Sequence, residues 1–476
     1  MFLLFIFFIF LFYNFYWKRK NYPPGPTPLP LIGNYWEIDK YSPGYEAYRK
    51  WQRKYGGIYT YWIAEIPVIA VCDYNLIQEL FVKDGEAYAG RQPFGKLNEF
   101  MKGGHYGVVM TEGDFWKEQR RFTLNVMRNL GMSRTIMEEK ILLEVSDFFK
   151  SIDENIPPNS KSTKINMIPI VNVAIANVIN QLLFGFAHHD EKSKEEFKKW
   201  RELMQEHMRF GTDAGLTIAL QCPEIFQYLP YFKDKLQLLK KQYRDVTKYY
   251  YLDFTEAYLK EIAKTNENYT RKQLVNILYE MFIAGQETTA NTTIYSMICV
   301  LNYPETQKKL QQELKTIIGS DRFITLADKP KLIYCQAFIN EVQRLVNILA
   351  QNLLHKTTKD VEIMGYKIKA GTTIVPQISC VLYDEKIFPD PYKFEPQRFI
   401  NENGQLKKID ELIPFSIGKR QCLGESLAKM NLFIFIANFY NHYQLGLVEN
   451  KVPSMDKING IAVQPKQFEC SITKLY

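Results

Sequence analysis

One cysteine near the C-terminal end of the sequence has neighbours whose types and spacing suit metal chemistry. Cys422 lies between Gly418 and Gly424, with Phe415 and Arg420 at fixed offsets before it. Glycine accepts a positive φ and lets backbone approach a metal thiolate closely. Phe415 would keep the sulfur dry, and Arg420 would suit a carboxylate. We predict that the Cys422 thiolate ligates haem iron; the alternative is a structural cysteine in a glycine-containing turn.

A second segment places polar residues inside an apolar helical pattern. Residues 284–289 read Ala-Gly-Gln-Glu-Thr-Thr and follow the apolar Met281–Ile283. A helical glycine costs about 1 kcal/mol relative to alanine. Threonine can also hydrogen-bond to a preceding carbonyl and bend the helix. Such a distortion would admit a small ligand and water, and Glu287 with Thr288 could deliver protons to bound oxygen. A solvated helix face is the alternative, which the preceding apolar residues disfavour.

Glu341 and Arg344 bring opposite charges to one helix face, because they are three residues apart. Such pairs contribute little at a protein surface. Arg398, which precedes the cysteine segment, could add a second guanidinium and convert the pair into a buried network that fixes the loop.

Trp116 and Arg120 place an indole N–H and a guanidinium one helical turn apart. This geometry suits a carboxylate ligand. An ordinary basic amphipathic helix is the alternative.

The elements that must position these residues are mostly helical. Apolar residues recur every three or four positions in several long segments. These predicted helices are Lys192–Met208, Lys235–Tyr251, Arg271–Val300, Glu305–Ile318 and Leu423–Tyr440. The prolines of 388–415 predict an irregular chain before Cys422. We expect edge strands within 58–72, which contains Pro67, and a strand pair formed by 361–368 and 372–375. The fold class is therefore mainly α with a minor β part.

Composition restricts the function classes. The seven cysteines show no CxxC spacing, which favours reduced thiols over a disulfide framework. Zinc is not expected, because only His188 and His189 cluster and no cysteine lies near them. A net charge of +8 is spread along the chain, so we expect an acidic protein partner or an anionic membrane and no nucleic acid.

The N-terminal residues predict a membrane anchor. Residues 1–17 carry no charge, and Lys18-Arg19-Lys20 follow at once. As a helix they would span about 25 Å, close to the thickness of the endoplasmic reticulum bilayer. A cleaved signal peptide would need a basic start and a small-residue cleavage site. We expect an anchor at 1–17, a basic and proline-rich hinge at 18–34, and a catalytic domain at 35–476 in the cytosol.

In their order along the chain, these motifs resemble those of the cytochrome P450 superfamily, the haem-thiolate monooxygenases. The resemblance implies a P450 fold around haem b (iron protoporphyrin IX), with Cys422 as axial iron ligand. It assigns proton delivery to Glu287 and Thr288, and a structural triad to Glu341, Arg344 and Arg398. The other cofactor-binding residues that it implies are Trp116, Arg120, Arg420, His355, Phe415, Gly418, Gly424 and Ala284.

The anchor and the Pro-Pro-Gly-Pro hinge resemble those of the animal microsomal branch, close to family 2. This implies electrons from an NADPH-dependent flavoprotein reductase, with cytochrome b5 as a further donor, and lipophilic substrates such as xenobiotics, fatty acids or steroids. Basic residues for docking would be Lys117, Arg121, Arg128, Lys419 and Lys429. Residues expected to line the substrate pocket are Phe94, Leu97, Phe100, Phe282, Ala284, Ala350, Leu353, Leu354 and Val463.

Two departures from the family pattern and two rival functions accompany this resemblance. An arginine expected near Gly104 is absent, which predicts that one haem-propionate contact is missing or replaced, and Leu353 replaces a common proline. The rivals are a haem-thiolate isomerase of peroxides and a haem carrier or sensor. An isomerase would need no proton relay, so the Glu287-Thr288 pair disfavours it.

Overall fold

Helices account for most of the chain, as the spacing of apolar residues predicts. The computed structural model describes residues 1–92, 96–129, 135–210, 212–247, 255–264 and 267–476. Its α-helices, labelled α1 to α18 in chain order, are Phe2–Phe15, Tyr35–Lys40, Tyr45–Tyr55, Tyr74–Ile77, Leu97–Lys102, Gly113–Asn129, Thr135–Asp153, Met167–Leu183, Glu191–Phe210, Ala214–Ala219, Pro223–Phe226, Pro230–Thr247, Thr255–Ala263, Arg271–Asn302, Pro304–Ile317, Ile333–Val346, Ile378–Leu382 and Glu425–His442.

The strands form small sheets beside the helices, so the predicted mainly α fold with a minor β part is confirmed. In chain order, β1 to β12 are Ile58–Ile63, Ile66–Val71, Gly90–Arg91, Ser162–Ile165, His355–Lys356, Val361–Ile363, Tyr366–Ile368, Thr373–Pro376, Tyr443–Gly446, Lys457–Ile458, Gln464–Pro465 and Cys470–Lys474. The five predicted helices correspond to α9, α12, α14, α15 and α18. The end of the second, 248–251, lies outside the described residues.

Helix α14 lies at the centre of the helical body and is buried along most of its length. It begins where the Thr270 side chain accepts the Gln273 N–H, and it ends before Pro304, which starts α15. It packs against α8, α16 and α18. The helix continues through 284–289, and Thr288 Oγ1 donates to the Ala284 carbonyl at 2.6 Å, the threonine hydrogen bond that was expected there. Gly285 permits close packing, because a Cβ there would lie 2.9 Å from Ile179 Cδ1 of α8.

The largest sheet has the strand order β1-β2-β8-β5-β3. The prediction of edge strands is right for β1 and wrong for β2, which pairs with β1 on one side and β8 on the other. Pro67 is tolerated because the pairing with β8 begins only at Val68. The predicted pair of 361–368 with 372–375 is also wrong. A tight turn at Met364 and Gly365, both with positive φ, folds the first segment into its own hairpin, β6–β7, and β8 joins the large sheet.

The proline-rich segment packs against this sheet, and the N-terminal helix contacts that segment. Within the described residues, Phe2–Arg19 is the one helical stretch long and apolar enough to cross a membrane, with a mean hydropathy of 1.4. Asn14 Nδ2 donates to the carbonyl of Pro28 at 3.1 Å. A Cβ on Gly25 would lie 1.8 Å from the carbonyl oxygen of Thr60 in β1, so only glycine fits there. The proline-rich part of the predicted hinge is therefore held against β1.

Candidate active site

A cavity of about 430 Å³ separates α14 from the segment that carries Cys422. Nine of the residues singled out in the sequence line it: Trp116, Arg120, Ala284, Glu287, Thr288, Phe415, Arg420, Cys422 and Gly424. Gly418 and His355 are absent from its wall in the part of the chain that the structure describes. The fold thus brings together residues that lie far apart in sequence.

The Cys422 segment is a turn closed by its own backbone. The Cys422 N–H donates to the Phe415 carbonyl at 3.0 Å. Gly418 has a φ of +84°, and a Cβ there would lie 2.0 Å from the carbonyl oxygen of Phe81, so glycine is required. The accessible surface of Cys422 faces the cavity. Burial raises the pKa of the Cys422 thiol, whereas the backbone N–H of Gly424, just before α18, lowers it.

Three guanidinium groups also line the cavity. Arg420 donates from Nε to the Ala89 carbonyl and from Nη2 to the Thr111 carbonyl, each at 2.7 Å. Arg91 donates from Nε to the Val109 carbonyl at 3.1 Å, and Arg120 donates from Nη2 to the Gln421 carbonyl at 2.7 Å. The Arg420 guanidinium also lies 3.5 Å from the centre of the Trp116 ring. Backbone carbonyls and one aromatic ring therefore surround these cations.

Two buried donors of this cluster lack a partner. The indole Nε1 of Trp116 and Nη1 of Arg420 donate to no hydrogen-bond acceptor among the described residues. Within the same residues, no carboxylate forms an ion pair with Arg91, Arg120 or Arg420. Burial lowers the pKa of Arg420, and repulsion from Arg91 and Arg120 lowers it further. The geometry therefore suits an anionic ligand with carboxylate groups, which would pair with the cations and accept from both free donors.

Arg91 is the functional residue that the sequence analysis missed. It follows Ala87-Tyr88-Ala89, a run that is buried, and it is itself buried in the cavity wall. A charged residue at the end of a buried run was the signal that could have identified it. The expectation that the propionate contact near Gly104 is missing or replaced stays a prediction, and Arg91 is the candidate replacement. Gly104 lies away from the cavity wall, and Arg91 supplies the third guanidinium.

His355 is buried in β5 and sits apart from the cavity wall. Its Nδ1 lies 2.8 Å from the carbonyl of Tyr88, and its ring meets Phe81 edge-on. A carbonyl only accepts, so Nδ1 carries the proton. Burial, with Arg91 as the nearest cation, lowers the pKa of His355 well below its usual value. A neutral His355 therefore holds β5 next to the Phe81 segment, which Gly418 also contacts.

Helix α14 presents an acid and a hydroxyl to the cavity. Thr288 Oγ1 donates to the Ala284 carbonyl at 2.6 Å, which leaves the oxygen free to accept. Glu287 is buried, and Asn291 Nδ2 donates to its Oε2 at 3.3 Å. Its other oxygen, Oε1, has no hydrogen-bond partner among the described residues. Burial raises the pKa of Glu287, so its carboxyl retains a proton at higher pH than an exposed glutamate does.

Glu341, Arg344 and Arg398 form one buried ion network behind the site. Arg344 Nε lies 2.7 Å from Glu341 Oε2, and Arg398 Nε lies 3.0 Å from Glu341 Oε1. The Glu395 N–H also donates to Glu341 Oε1 at 2.8 Å. These bonds join α16 to the irregular chain that leads to the Cys422 segment.

The predicted pocket residues divide between the cavity and the protein core. Leu97, Ala284 and Leu353 line the cavity. Phe282, Ala350, Leu354 and Val463 are buried in core packing away from its wall, Phe100 packs against α10 and α12, and Phe94 lies outside the described residues. Resemblance identified the right segments, but side-chain direction within each segment decides which residues reach the cavity.

Comparison with known proteins gives a family for this arrangement. A family model for cytochrome P450 matches residues 23–472. The chain belongs to the cytochrome P450 family. It is 32% identical over 475 residues to cytochrome P450 2C16 of Oryctolagus cuniculus, with 95% of each chain covered. It is also 32% identical over 472 residues to cytochrome P450 2C7 of Rattus norvegicus, with 95% of this chain and 94% of the relative covered. The predicted resemblance to animal microsomal P450 enzymes of family 2 is thus confirmed.

Membership of the family makes this P450 a haem-binding monooxygenase of lipophilic substrates that receives electrons from a redox partner. The residues present fit haem. The orphaned Trp116 and Arg420 donors and the uncompensated guanidiniums match the two propionates of that group. A Cβ on Gly424 would meet nothing within 4 Å, so this cavity-lining glycine leaves open space beside Cys422.

Proposed function

We propose that this P450 inserts one oxygen atom from O2 into lipophilic organic compounds such as xenobiotics, fatty acids or steroids, with electrons from an NADPH-dependent flavoprotein reductase. The observation that carries the proposal is one cavity with a thiol on one wall and an acid-hydroxyl pair on another. Haem, when bound, supplies oxygen activation, which thiolate ligation favours. The residues of this chain supply ligation, anchoring and protons.

We assign iron ligation to Cys422 and cofactor anchoring to the guanidinium cluster. The Gly424 N–H stabilises the thiolate form of Cys422, and Phe415 shields that side of the cavity from water. Arg91, Arg120 and Arg420 supply the charge that the propionates require. We assign His355 a positioning role, through the strand that it holds beside the Phe81 segment.

Proton delivery belongs to Glu287 and Thr288. The raised pKa of Glu287 lets its carboxyl hold a proton beside the cavity at higher pH than an exposed glutamate would. Thr288 already donates to a helix carbonyl, so its oxygen can accept from water and pass a proton onward. Water is therefore oriented at the α14 wall rather than left free.

Partner and location follow from the charge pattern and the apolar N-terminal helix. We propose docking of the acidic reductase, and of cytochrome b5, at the basic surface around Cys422. Lys117 and Lys419 share Glu86, at 3.1 and 3.2 Å, so part of this surface is already neutralised. The exposed Arg121 and Arg128 would then carry more of the attraction. Residues 1–17 would anchor the chain in the endoplasmic reticulum membrane, followed by the hinge at 18–34 and a cytosolic catalytic domain at 35–476.

NADPH-dependent oxygen consumption with reductase and a panel of lipophilic compounds tests the proposal. We expect product formation that requires NADPH, reductase and O2 together. Rearrangement of peroxides without NADPH would instead identify an isomerase. Retention of haem with no turnover of either kind would identify a carrier or sensor, and both results would refute the proposed activity.

The iron ligand has its own spectroscopic test. Replacement Cys422→Ser should abolish the red-shifted Soret band of the reduced carbon-monoxide complex, because a serine oxygen cannot supply thiolate donation. The control is Cys470→Ser, a buried cysteine in β12 that lies outside the cavity wall. Survival of the band in Cys422→Ser would refute the assignment.

The proton relay can be tested with two threonines on the same helix. Thr288 and Thr293 each donate to the carbonyl four residues earlier, but Thr288 lines the cavity and Thr293 does not. Replacement Thr288→Ala should lower the amount of product formed per NADPH and raise hydrogen peroxide release. Thr293→Ala should leave this ratio unchanged. Equal effects of the two variants would reduce the role of Thr288 to helix structure.

A further inference from the structure

Three residues that the active site does not use meet on the outer side of α7. Glu144 and Asp147 lie one helical turn apart on α7, and His189 lies in the connection between α8 and α9. His189 Nδ1 is 2.8 Å from Asp147 Oδ2, and His189 Nε2 is 3.6 Å from Glu144 Oε1. One possible ligand atom from each residue lies within 4.8 Å of the others. The cluster therefore has the size of a metal coordination sphere.

Glu144 is the buried member of this cluster, and one of its oxygens has no hydrogen-bond donor in the described part of the chain. Its side chain is 1% exposed, and its Oε2 has no hydrogen-bond donor among the described residues. Gln181 Nε2 donates to its other oxygen. A buried carboxylate with an unpaired oxygen is costly unless it is protonated or bound to a cation.

We propose that Glu144, Asp147 and His189 bind a Zn²⁺ ion. An imidazole nitrogen with two carboxylates is a ligand set that zinc accepts, whereas Ca²⁺ and Mg²⁺ prefer oxygen ligands alone. His189 and Asp147 are each 48% exposed, so water can complete the coordination and the ion can enter from solvent. The charges also match, because two carboxylates together neutralise the charge of a Zn²⁺ ion.

The protein around the cluster is built to hold His189 in place. Asn177 of α8 accepts the His188 N–H at 2.8 Å and donates to the His188 carbonyl at 3.3 Å. The ring of His188 packs between Phe186 and Phe197. The backbone that carries His189 is therefore fixed from α8, and Gln181 of the same helix fixes Glu144. Outer contacts of this kind orient metal ligands in proteins.

The position of the site gives it a structural consequence. Helix α9 begins two residues after His189, at Glu191, and its Met208 lines the active-site cavity. A bound ion would join α7 to the start of α9 and so stiffen the helix that contributes to the cavity wall. The sequence disfavoured zinc because no cysteine lies near His189; the fold supplies carboxylates from a helix about forty residues earlier.

Zinc binding to the full-length, haem-loaded protein tests the proposal. After chelator treatment, titration with ZnCl2 followed by calorimetry and metal analysis should show one equivalent bound, with a raised unfolding midpoint. Glu144→Gln and His189→Ala should each abolish that equivalent. Gln181→Leu should weaken it by roughly tenfold, as expected for an outer contact. The control is His105→Ala, an exposed histidine far from the cluster in sequence, which should bind zinc normally.

The reduced carbon-monoxide spectrum of each variant shows that the haem-containing fold is intact, because none of these residues lines the active-site cavity. Absence of a stoichiometric zinc equivalent would overturn the proposal and leave His189 as an ion-pair partner of the two acids. Binding that persists in His189→Ala and Glu144→Gln would also overturn it. Stoichiometric binding of Ca²⁺ in place of Zn²⁺ would refute the assignment of the metal.

Discussion

Two groups of buried arginines in this molecule have opposite surroundings. Arg344 and Arg398 share the carboxylate of Glu341, whose two oxygens are within 3.0 Å of guanidinium nitrogens. Arg91, Arg120 and Arg420 have backbone carbonyls and the Trp116 ring around them but no carboxylate partner among the described residues. The charges of the first group are balanced within the protein. Those of the second group are balanced only by an anionic ligand. The first group is therefore a structural network and the second a binding site.

The largest expected effect comes from removing the carboxylate that completes the first group. Glu341→Gln would leave Arg344, which is fully buried, without its counter-charge. Loss of one partner of a buried ion pair costs about 3–5 kcal/mol. We expect a fall of that size in the free energy of unfolding, or failure to accumulate folded protein, measured by chemical unfolding or by yield of the haem-loaded form.

The matched control is Asp360→Asn, which removes the exposed ion pair with Lys369 on the β6–β7 hairpin. Surface pairs are weak, so this variant should unfold like the unmodified protein. A similarly small effect of Glu341→Gln would contradict the view that the triad stabilises the fold.

Two glycines of the cysteine segment show the same contrast. A Cβ on Gly418 would collide with the Phe81 carbonyl, whereas a Cβ on Gly424 would enter open space. Gly418→Ala should therefore destabilise the protein with or without haem, by about 1–3 kcal/mol from backbone strain at positive φ and more from the collision. Gly424→Ala should leave the haem-free protein unchanged and reduce haem binding. Thermal unfolding of the haem-free forms, followed by haem titration, separates the two effects.

If Gly424→Ala destabilised the haem-free protein as much as Gly418→Ala does, the space beside Cys422 would have a structural explanation. If Gly424→Ala bound haem normally, the inference that haem lies close to this backbone would be wrong.

Removing one cation from the second group should weaken ligand binding more than folding. Arg420→Met deletes a buried charge, which offsets the loss of its hydrogen bonds to the Ala89 and Thr111 carbonyls. Hydrogen bonds to charged groups contribute about 1.5–3 kcal/mol, so haem should dissociate roughly 10- to 100-fold faster. Transfer of haem to a scavenging apo-globin measures this rate.

The adjacent Lys419→Met serves as control, because Lys419 is exposed and pairs with Glu86 on the surface. It should release haem at the rate of the unmodified protein. An equal acceleration in both variants would mean that net charge, and not the buried guanidinium, governs haem retention.

The sequence predicted what depends on local pattern and spacing. The α14 and α18 helices, the Cys422 turn and the Glu341-Arg344 pair follow from periodicity and from residue types at fixed offsets. Arg91 was missed because it has no such spacing, and only the pairing of β3 with β5 brings it to the cavity.

The errors in the β part have a related cause. Whether 361–368 forms a hairpin or pairs with β8 depends on a positive φ at Met364, which a non-glycine residue does not signal. The pocket prediction failed at Phe282, Ala350, Leu354 and Val463 because neighbouring residues of one element point in different directions. Long-range pairing and side-chain direction are therefore the parts that pattern alone does not specify.

The smallest expected effect concerns Glu287, a buried acid of the cavity wall whose Oε1 has no hydrogen-bond partner among the described residues. Its pKa is raised above the usual 4.5, chiefly by burial. Between pH 4.5 and that raised value, the folded state therefore binds more protons than the unfolded state. The contribution of Glu287 to the free energy of unfolding is full at low pH and falls as pH rises through this window. Glu287→Gln removes this dependence and keeps the shape of the side chain. We expect the unfolding midpoint of the unmodified protein, relative to that of Glu287→Gln, to decline as pH rises above 4.5. Parallel pH profiles would mean that Glu287 titrates alike in both states, and the raised pKa on which its role as proton donor rests would then be absent.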